Sequence, residues 1–115
     1  MHYYVMRNTM RAKLIIIVAL LTAPAAHAKN IALCVAASEL AETVMSARQS
    51  GVSLMKLIQF AQTNKDESLR KFEINLAQEA FRQPRYRTLS NQKRAIVDFG
   101  SEQMGRCLEA ITSSK

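Results

Sequence analysis

The chain has 115 residues, with 16 lysines and arginines against nine aspartates and glutamates, and its formal net charge is +7. This length allows one domain. The only two histidines, His2 and His27, lie in an N-terminal segment that we predict to be removed. The remaining domain therefore excludes a Ser-His or Cys-His nucleophile, a zinc site with histidine ligands and a histidine pH switch.

The first 28 residues have the three parts of a secretory signal peptide: a basic start, an apolar middle and a small-x-small site ending at Ala28. The apolar run over 14–26 has 13 residues (26 − 14 + 1), fewer than the roughly 20 of a membrane-spanning helix. We therefore predict a signal peptide over 1–28, cleaved between Ala28 and Lys29, and a periplasmic or secreted domain over 29–115 without a transmembrane anchor. Three starts remain open: Met1, Met6 and Met10.

Removal of this segment leaves 87 residues (115 − 28) and takes away three of the 16 basic residues but none of the nine acids. The net charge of the mature domain is then +4 (13 − 9). Such a charge is a weak argument for nucleic acid, which an exported protein seldom meets, so we predict no nucleic-acid partner. The expected partner is a protein or an anionic surface of the cell envelope. The oligomeric state stays open.

The two cysteines, Cys34 and Cys107, are expected to pair, because an exported domain matures in an oxidising compartment. They lie 73 positions apart (107 − 34), and a ring of that size restrains the unfolded chain by about 4 kcal/mol in the loop-entropy model. A redox-active pair normally has neighbouring cysteines, so a structural disulfide is the favoured interpretation.

Apolar residues recur at every third or fourth position and strand-like alternation is absent, which predicts an all-helical domain. The first helix is predicted over 31–50, with Asn30 as its N-cap and Gly51 as its C-terminal stop. Its inward stripe comprises Leu33, Ala37, Leu40, Ala41, Val44 and Ala47.

A short second helix is predicted to begin after the cap Ser53 and to bury Leu54, Leu57, Ile58 and Ala61. A turn over 63–66 leads to a third helix, which begins near Asp66 or Glu67 because negative charge suits a helix N-terminus. Pro84 ends this helix by restricting the residue before it. The inward residues are Leu69, Phe72, Leu76, Ala77 and Ala80.

Residues 84–89 have no helical period and are predicted to form an ordered or mobile loop. Ser90 or Asn91 is predicted to cap a fourth helix that continues to about Ile111, followed by a frayed tail over 112–115. Its inward residues are Ile96, Val97, Phe99, Gly100, Met104, Cys107, Leu108 and Ile111. The predicted fold is an all-α bundle of three long helices and one short helix, tied by one disulfide.

The strongest basic grouping lies in and beside the 84–89 loop, and its residues are our candidate binding residues: Arg82, Arg85, Tyr86, Arg87, Lys93 and Arg94. Arginine and tyrosine are enriched at protein interfaces, and the arginine fork suits carboxylates and phosphates. The alternative interpretation is a solvated loop whose arginines pair with neighbouring acids.

The end of the first helix, with its Ala47-Arg48-Gln49-x-Gly51 turn, is a second candidate, and we include Arg48 and Gln49 among the candidate binding residues. Helix capping explains most of this pattern, because Arg48 complements the helix C-terminus and Gly51 can adopt a left-handed conformation. Whether this turn and the basic loop form one surface is left open by the sequence.

One combination of residues underlies a resemblance to other proteins: Cys34, Met45, Ala47-Arg48-Gln49, Gly51, Met55, Ala80-Phe81, Gln83-Pro84-Arg85-Tyr86, Arg94-Ala95, Asp98-Phe99 and Cys107. In these residues the chain resembles a group of uncharacterised small proteins from proteobacteria and their phages, which have a signal peptide and a single cysteine pair. The resemblance covers nearly all of the mature chain and implies a periplasmic helical domain. It implies no activity and no binding residues.

The remaining chemistry-bearing residues favour structural roles. Three methionines, at positions 45, 55 and 104, could bind a soft metal but have the spacing of core residues. Two acidic pairs, Glu39 with Glu42 and Asp98 with Glu102, share helix faces without indicating a cleft. We therefore expect no metal, no cofactor and no catalytic activity.

Two functions of different classes follow. The first is a non-catalytic periplasmic interaction protein that docks the basic loop on an anionic partner, such as an inhibitor of a cell-wall-acting enzyme. The second is an acid- or stress-responsive holdase chaperone, in which protonation of the nine acids leaves positive self-repulsion and exposes apolar surface.

Overall fold

The structure, a computed structural model, describes the backbone of residues 25–113 and the side chains of residues 30–113. The alternative starts, most of the predicted signal peptide and the last two residues of the predicted tail lie outside the described residues. Over 25–113 there are four α-helices and no strand: α1 (Ala25–Gln49), α2 (Leu54–Gln62), α3 (Glu67–Arg82) and α4 (Leu89–Ser113). The predicted set of three long helices and one short helix is confirmed.

The chain divides into two compact units, residues 1–33 and residues 34–115. In the first unit, the described part is the beginning of α1, where the side chains of Ile31 and Leu33 are exposed. The second unit contains the rest of α1 and the other three helices. None of the described helices is both apolar enough and long enough to span a bilayer.

The N-terminal end of α1 differs from the prediction. The helix begins at Ala25, so Asn30 lies inside it and is not its N-cap. The reason is that residues 25–30 contain three alanines and no proline or glycine, and alanine is the strongest helix former. Leu33 was also placed wrongly on the inward stripe, because 63% of its surface is exposed.

The C-terminal end of α1 is confirmed at Gly51, which has a φ of 94°. The amide of Val52 donates to the carbonyl of Ala47 at 3.0 Å, and the amide of Gly51 donates to the carbonyl of Arg48 at 3.1 Å. These two hydrogen bonds define a Schellman motif, which requires a left-handed residue and therefore favours glycine. The carbonyl of Gln49 is left free by this motif for a partner from elsewhere.

The predicted cap Ser53 begins α2, and Asp66, one of the two predicted starts of the third helix, is the N-cap of α3. The Ser53 side chain accepts a hydrogen bond from the Lys56 amide, and the Asp66 side chain accepts one from the Leu69 amide. Gln83 is extended, with φ −84° and ψ 144°, as expected for a residue before proline. Leu69, however, is 39% exposed and is not a core residue.

The cap of α4 lies two or three residues earlier in the chain than predicted. Its cap is Thr88, whose hydroxyl accepts a hydrogen bond from the Asn91 amide at 3.2 Å, and the helix begins at Leu89. Neither Ser90 nor Asn91 is the cap, because Thr88 can itself cap a helix and the residues directly after it are compatible with helical conformation. The helix also runs past Ile111 to Ser113, and Val97 and Leu108 are exposed rather than inward.

The core of the second unit is formed where α1, α3 and α4 meet. Its buried residues are Ala41, Val44, Met45, Leu76, Ala77, Ala80 and Phe99. Leu54 and Leu57 of α2 pack against this cluster and are partly buried. Met45 is fully buried, which supports its structural interpretation, whereas Met55 is 70% exposed and is not a core residue.

The predicted disulfide is present between Cys34 of α1 and Cys107 of α4. The two Cα atoms are 5.4 Å apart and the two sulfur atoms 2.07 Å apart. The bond therefore joins the part of α1 that opens the second unit to the last turns of α4. Four residues further along α1, the Ser38 hydroxyl donates to the carbonyl of Gly100, which precedes Cys107 in α4, so α1 and α4 run antiparallel within this unit.

A polar network joins α3 to α4. Gln103 and Arg106 both donate hydrogen bonds to Glu79, at 2.9 Å and 2.8 Å, and Arg106 also pairs with Glu102 at 2.9 Å. The hydrogen bond and the charge of Glu79 raise the pKa of the Arg106 guanidinium above its ordinary value. Because this guanidinium is charged at all physiological pH values in any case, the network holds α4 in register rather than acting as a switch.

The two glycines of α4 provide a matched test of how closely α1 approaches it. At Gly100 the Ser38 hydroxyl donates to the carbonyl at 2.8 Å, and an added Cβ would meet Cγ of Glu42 at 2.5 Å. At Gly105 an added Cβ would meet nothing within 4 Å. We expect Gly100→Ala to lower the free energy of unfolding by about 1–3 kcal/mol through overpacking.

Gly105→Ala is the control, and it should raise the same free energy by up to about 1 kcal/mol, because alanine is the better helix former. Chemical denaturation of the oxidised protein measures both. Equal effects of the two substitutions would contradict the close approach of α1 to α4 at Gly100.

Candidate functional site

Gln49 is the last residue of α1, and its side chain is 2% exposed. Its amide nitrogen donates to the carbonyl of Pro84 at 2.9 Å, and its amide oxygen accepts from the backbone amide of Tyr86 at 2.8 Å. One buried carboxamide therefore satisfies both a donor and an acceptor of the loop between α3 and α4. We call residues 83–88 the clamped loop.

Gln92, in the first turn of α4, holds the same loop from the other side. Its side-chain amide donates to the carbonyl of Tyr86 at 2.7 Å. Both backbone polar groups of Tyr86 are therefore bonded to glutamine side chains, one from α1 and one from α4. The sequence did not decide between an ordered and a mobile loop, and these contacts support an ordered loop.

Two arginines each cap the C-terminal end of a helix from another part of the chain. Arg85 of the clamped loop donates from Nε to the carbonyl of Gln49 at 3.0 Å, the carbonyl that the Schellman motif leaves free. Arg48 of α1 donates to the carbonyl of Gln83, the C-cap of α3, at 3.2 Å from Nη2. Because a helix C-terminus carries partial negative charge, both arginines are placed where they stabilise the fold.

The close approach of Arg85 explains the glycine of the turn. A Cβ at Gly51 would lie 3.0 Å from Nη2 and 3.1 Å from Cζ of Arg85. The Arg48 guanidinium lies 4.3 Å from the ring centroid of Phe81, in a cation–π contact. The ARQ-x-G turn and the QPRY segment are therefore two halves of one contact, which answers the question that the sequence left open.

Three of the candidate binding residues are thus occupied within the fold. Gln49 is buried and bonded on both sides, so a partner does not reach its side chain in this conformation. The guanidinium groups of Arg48 and Arg85 are held by backbone carbonyls. These residues shape the site and order its loop, and we assign surface contact to the others.

The other cations have a different environment. Arg82, Arg87, Lys93 and Arg94 are exposed, and within the described residues none of them forms a hydrogen bond or an ion pair through its side chain. Arg82 lies in the last turn of α3, where positive charge is favourable. Arg87 precedes α4, and Lys93 and Arg94 lie in its second turn. The first turn of α4 has no acidic residue.

A groove of about 280 Å³ lies beside the clamped loop. The buried Phe99 and Met45 lie beneath it, together with Ala95. Polar side chains form its rim: Gln83, Tyr86, Asn91, Arg94, Asp98 and Glu102. The groove therefore combines a small apolar floor with amide, phenol, guanidinium and carboxylate groups.

Four of these rim residues, Gln83, Asn91, Asp98 and Glu102, were not among the candidate binding residues predicted from the sequence. A signal was present, because Asn91, Arg94, Asp98 and Glu102 are spaced by three or four residues and so share one polar face of α4. Nothing in that spacing shows that the clamped loop forms the opposite wall or that Met45 of α1 lies beneath the groove.

The two acidic pairs line two different surface depressions. Asp98 and Glu102 line the groove, whereas Glu39 and Glu42 line a more open depression with Ser101. Over the described residues, no three acidic or cysteine side chains are grouped in a way that could hold a metal ion.

Comparison of the chain with protein-family models, curated proteins and solved structures gave no significant match.

Proposed function

We propose that the protein is a non-catalytic interaction protein of the cell envelope that binds an acidic surface of a protein partner through the clamped loop and the adjacent start of α4. The periplasmic location belongs to this proposal, and so does membership of the phage-associated group that the sequence resembles. The disulfide between Cys34 and Cys107 supports an extracytoplasmic location, because such bonds persist in oxidising compartments.

The observation that carries the proposal is the uncompensated positive charge at the N-terminal end of α4. A helix N-terminus is already partly positive, and cations near it are unfavourable. Arg87 nevertheless lies directly before the cap Thr88, and Lys93 follows in the second turn of α4. Both are exposed and have no ion pair to any described residue. Residues that break a local rule without a folding benefit are expected at functional sites, whereas Arg48 and Arg85 have such a benefit.

The order of the loop supports the same proposal. Binding by a mobile loop costs conformational entropy for each residue that becomes fixed, whereas Tyr86 is already held by Gln49 and Gln92. A preorganised loop with arginine and tyrosine is the composition of an interface anchor. Inhibition of a cell-wall-acting enzyme is the form of this function that we propose to test first.

The test is capture of a partner from periplasmic extract by the oxidised protein, followed by crosslinking and mass spectrometry. We expect Arg87→Glu with Lys93→Glu to weaken the captured complex at least tenfold, or about 1.4 kcal/mol, because the like charges then repel an acidic partner. The wild-type complex should also weaken with added salt, since exposed charges are screened.

The matched control is Lys56→Glu with Lys65→Glu, which changes the net charge equally at two exposed positions of α2 and the following turn. Equal weakening by both pairs would contradict the proposal and indicate a general charge effect. Capture of many unfolded proteins only in acid would favour the holdase function, for which the exposed Met55 and Phe60 of α2 are the apolar candidates.

A further inference from the structure

We infer that the groove beside the clamped loop is a peptide-binding site that takes an extended segment in which an acidic residue and a lysine or arginine are separated by one residue. This inference rests on the proposed function, because the segment belongs to the protein partner. It adds which part of the partner is recognised and by which residues.

The size of the groove indicates a short segment. Pockets for small molecules have volumes of about 300–1,000 Å³, and this groove has about 280 Å³ and is open along one side. It is therefore suited to one or two side chains of a larger partner rather than to a whole cofactor. The apolar floor at Phe99 and Ala95 can contact the aliphatic part of such a side chain.

The rim groups are free to bind. Among the described residues, the side chains of Gln83, Tyr86, Asn91, Arg94 and Asp98 form no hydrogen bond and no ion pair. Carboxamides both donate and accept hydrogen bonds, so Gln83 and Asn91 can pair with the exposed backbone of an extended peptide. Arg94 and Asp98 supply one charge of each sign.

The spacing of the charged residues selects the peptide pattern. Arg94 and Asp98 are four residues apart on α4, which corresponds to about 6 Å along the helix axis. In an extended peptide, residues i and i+2 point to the same side and are about 6.6 Å apart. An acidic residue opposite Arg94 therefore places a basic residue, two positions on, opposite Asp98.

Glu102 lies about 6 Å further along α4 but is already paired with Arg106 at 2.9 Å. Its carboxylate adds to the negative charge at that end of the groove. To pair with a peptide side chain, however, it would have to give up its ion pair with Arg106. Asp98 is therefore the groove residue that pairs with the basic side chain of the peptide, and Arg94 pairs with its acidic side chain.

The experiment is a titration of the ¹⁵N-labelled oxidised protein, produced from the full-length chain, with capped five-residue peptides, followed by amide chemical shifts. The matching peptide is Thr-Glu-Thr-Lys-Thr, because threonine favours an extended chain. Three control peptides carry other patterns: Thr-Glu-Thr-Glu-Thr, Thr-Lys-Thr-Lys-Thr and Thr-Glu-Thr-Thr-Lys. We expect the matching peptide to shift the amides of the groove residues and to bind at least fivefold more tightly than any control.

Two charge reversals at exposed positions make the test independent of stability. Arg94→Glu leaves only acids along the groove and should change the preference to the peptide with two lysines. Asp98→Lys should change it to the peptide with two glutamates. A purely structural role for Arg94 or Asp98 would weaken all peptides alike and produce neither change.

Absence of groove shifts at millimolar peptide, or an unchanged order of preference in both variants, would overturn the inference. If partner capture still depended on Arg87 and Lys93, the proposed function would stand while the peptide site failed. If peptide preference followed the two reversals but capture did not depend on Arg87 and Lys93, the proposed function would fail instead.

Discussion

Replacing both cysteines with alanine is expected to lower the free energy of unfolding by about 4 kcal/mol and the melting temperature by roughly 15–30 °C. The bond closes a ring with a sequence separation of 73, so its loss restores much of the conformational entropy of the unfolded chain. For a domain of this size, total stability is about 5–10 kcal/mol. The Cys34→Ala, Cys107→Ala variant should therefore retain only a small free energy of unfolding.

Thermal and chemical denaturation measure this effect, and reduction of the wild-type protein by a thiol is the control that keeps both side chains. The clamped loop is about 22 Å along α1 from Cys34, so partner binding well below the melting temperature should be unchanged. A loss below about 1 kcal/mol would show that the helix contacts alone hold the ends of α1 and α4 together.

Gln49→Ala is expected to have the second-largest effect, a loss of about 2–3 kcal/mol. The substitution removes the acceptor of the Tyr86 amide and the donor to the Pro84 carbonyl, and a buried polar group without a partner costs about 1–3 kcal/mol. Because the clamped loop loses its attachment to α1, partner binding should weaken as well. Gln78→Ala, at an exposed position of α3, is the control and should change stability by less than about 0.5 kcal/mol.

Gln49→Glu separates the two hydrogen bonds. A carboxylate can still accept from the Tyr86 amide but cannot donate to the Pro84 carbonyl, which lies 2.9 Å from the present donor. Only the protonated carboxyl restores the donor, so protonation is favoured in the folded state. The stability gap between this variant and the wild type should therefore narrow as the pH falls.

Denaturation at several pH values measures that gap. A gap that is constant with pH, together with a Gln49→Ala loss no greater than that of Gln78→Ala, would contradict the role of Gln49 as the clamp. Loss of partner binding in Gln49→Ala with retained α-helical content would connect the clamp to the function.

Local signals predicted the secondary structure well wherever one residue was decisive. Ser53, Asp66, Gly51 and Pro84 begin or end helices as expected, because caps, left-handed turns and proline act within one turn of the chain. The errors occurred where several residues could begin or cap the helix. Asn30 is a weaker signal than the alanines before it, and Thr88 caps α4 in place of Ser90 or Asn91.

The residues of the site were found, but their roles were not. Basic composition identified the region from Arg82 to Arg94 without distinguishing Arg85, which caps α1, from Arg87, which has no partner among the described residues. Composition shows which charges are present. Whether a charge is free depends on the carbonyls and carboxylates that another part of the chain brings to it.

The sequence alone determined the all-helical class, the number of long and short helices and the pairing of Cys34 with Cys107, because helical periodicity and cysteine count are readable without knowing neighbours. Only the tertiary structure decided that the ARQ-x-G turn and the QPRY segment form one contact, and that a groove opens beside it. The physical reason is that the hydrogen bonds of Gln49 and Arg85 span 35–37 residues. A contact at that separation exists only once α1 and α3 are packed.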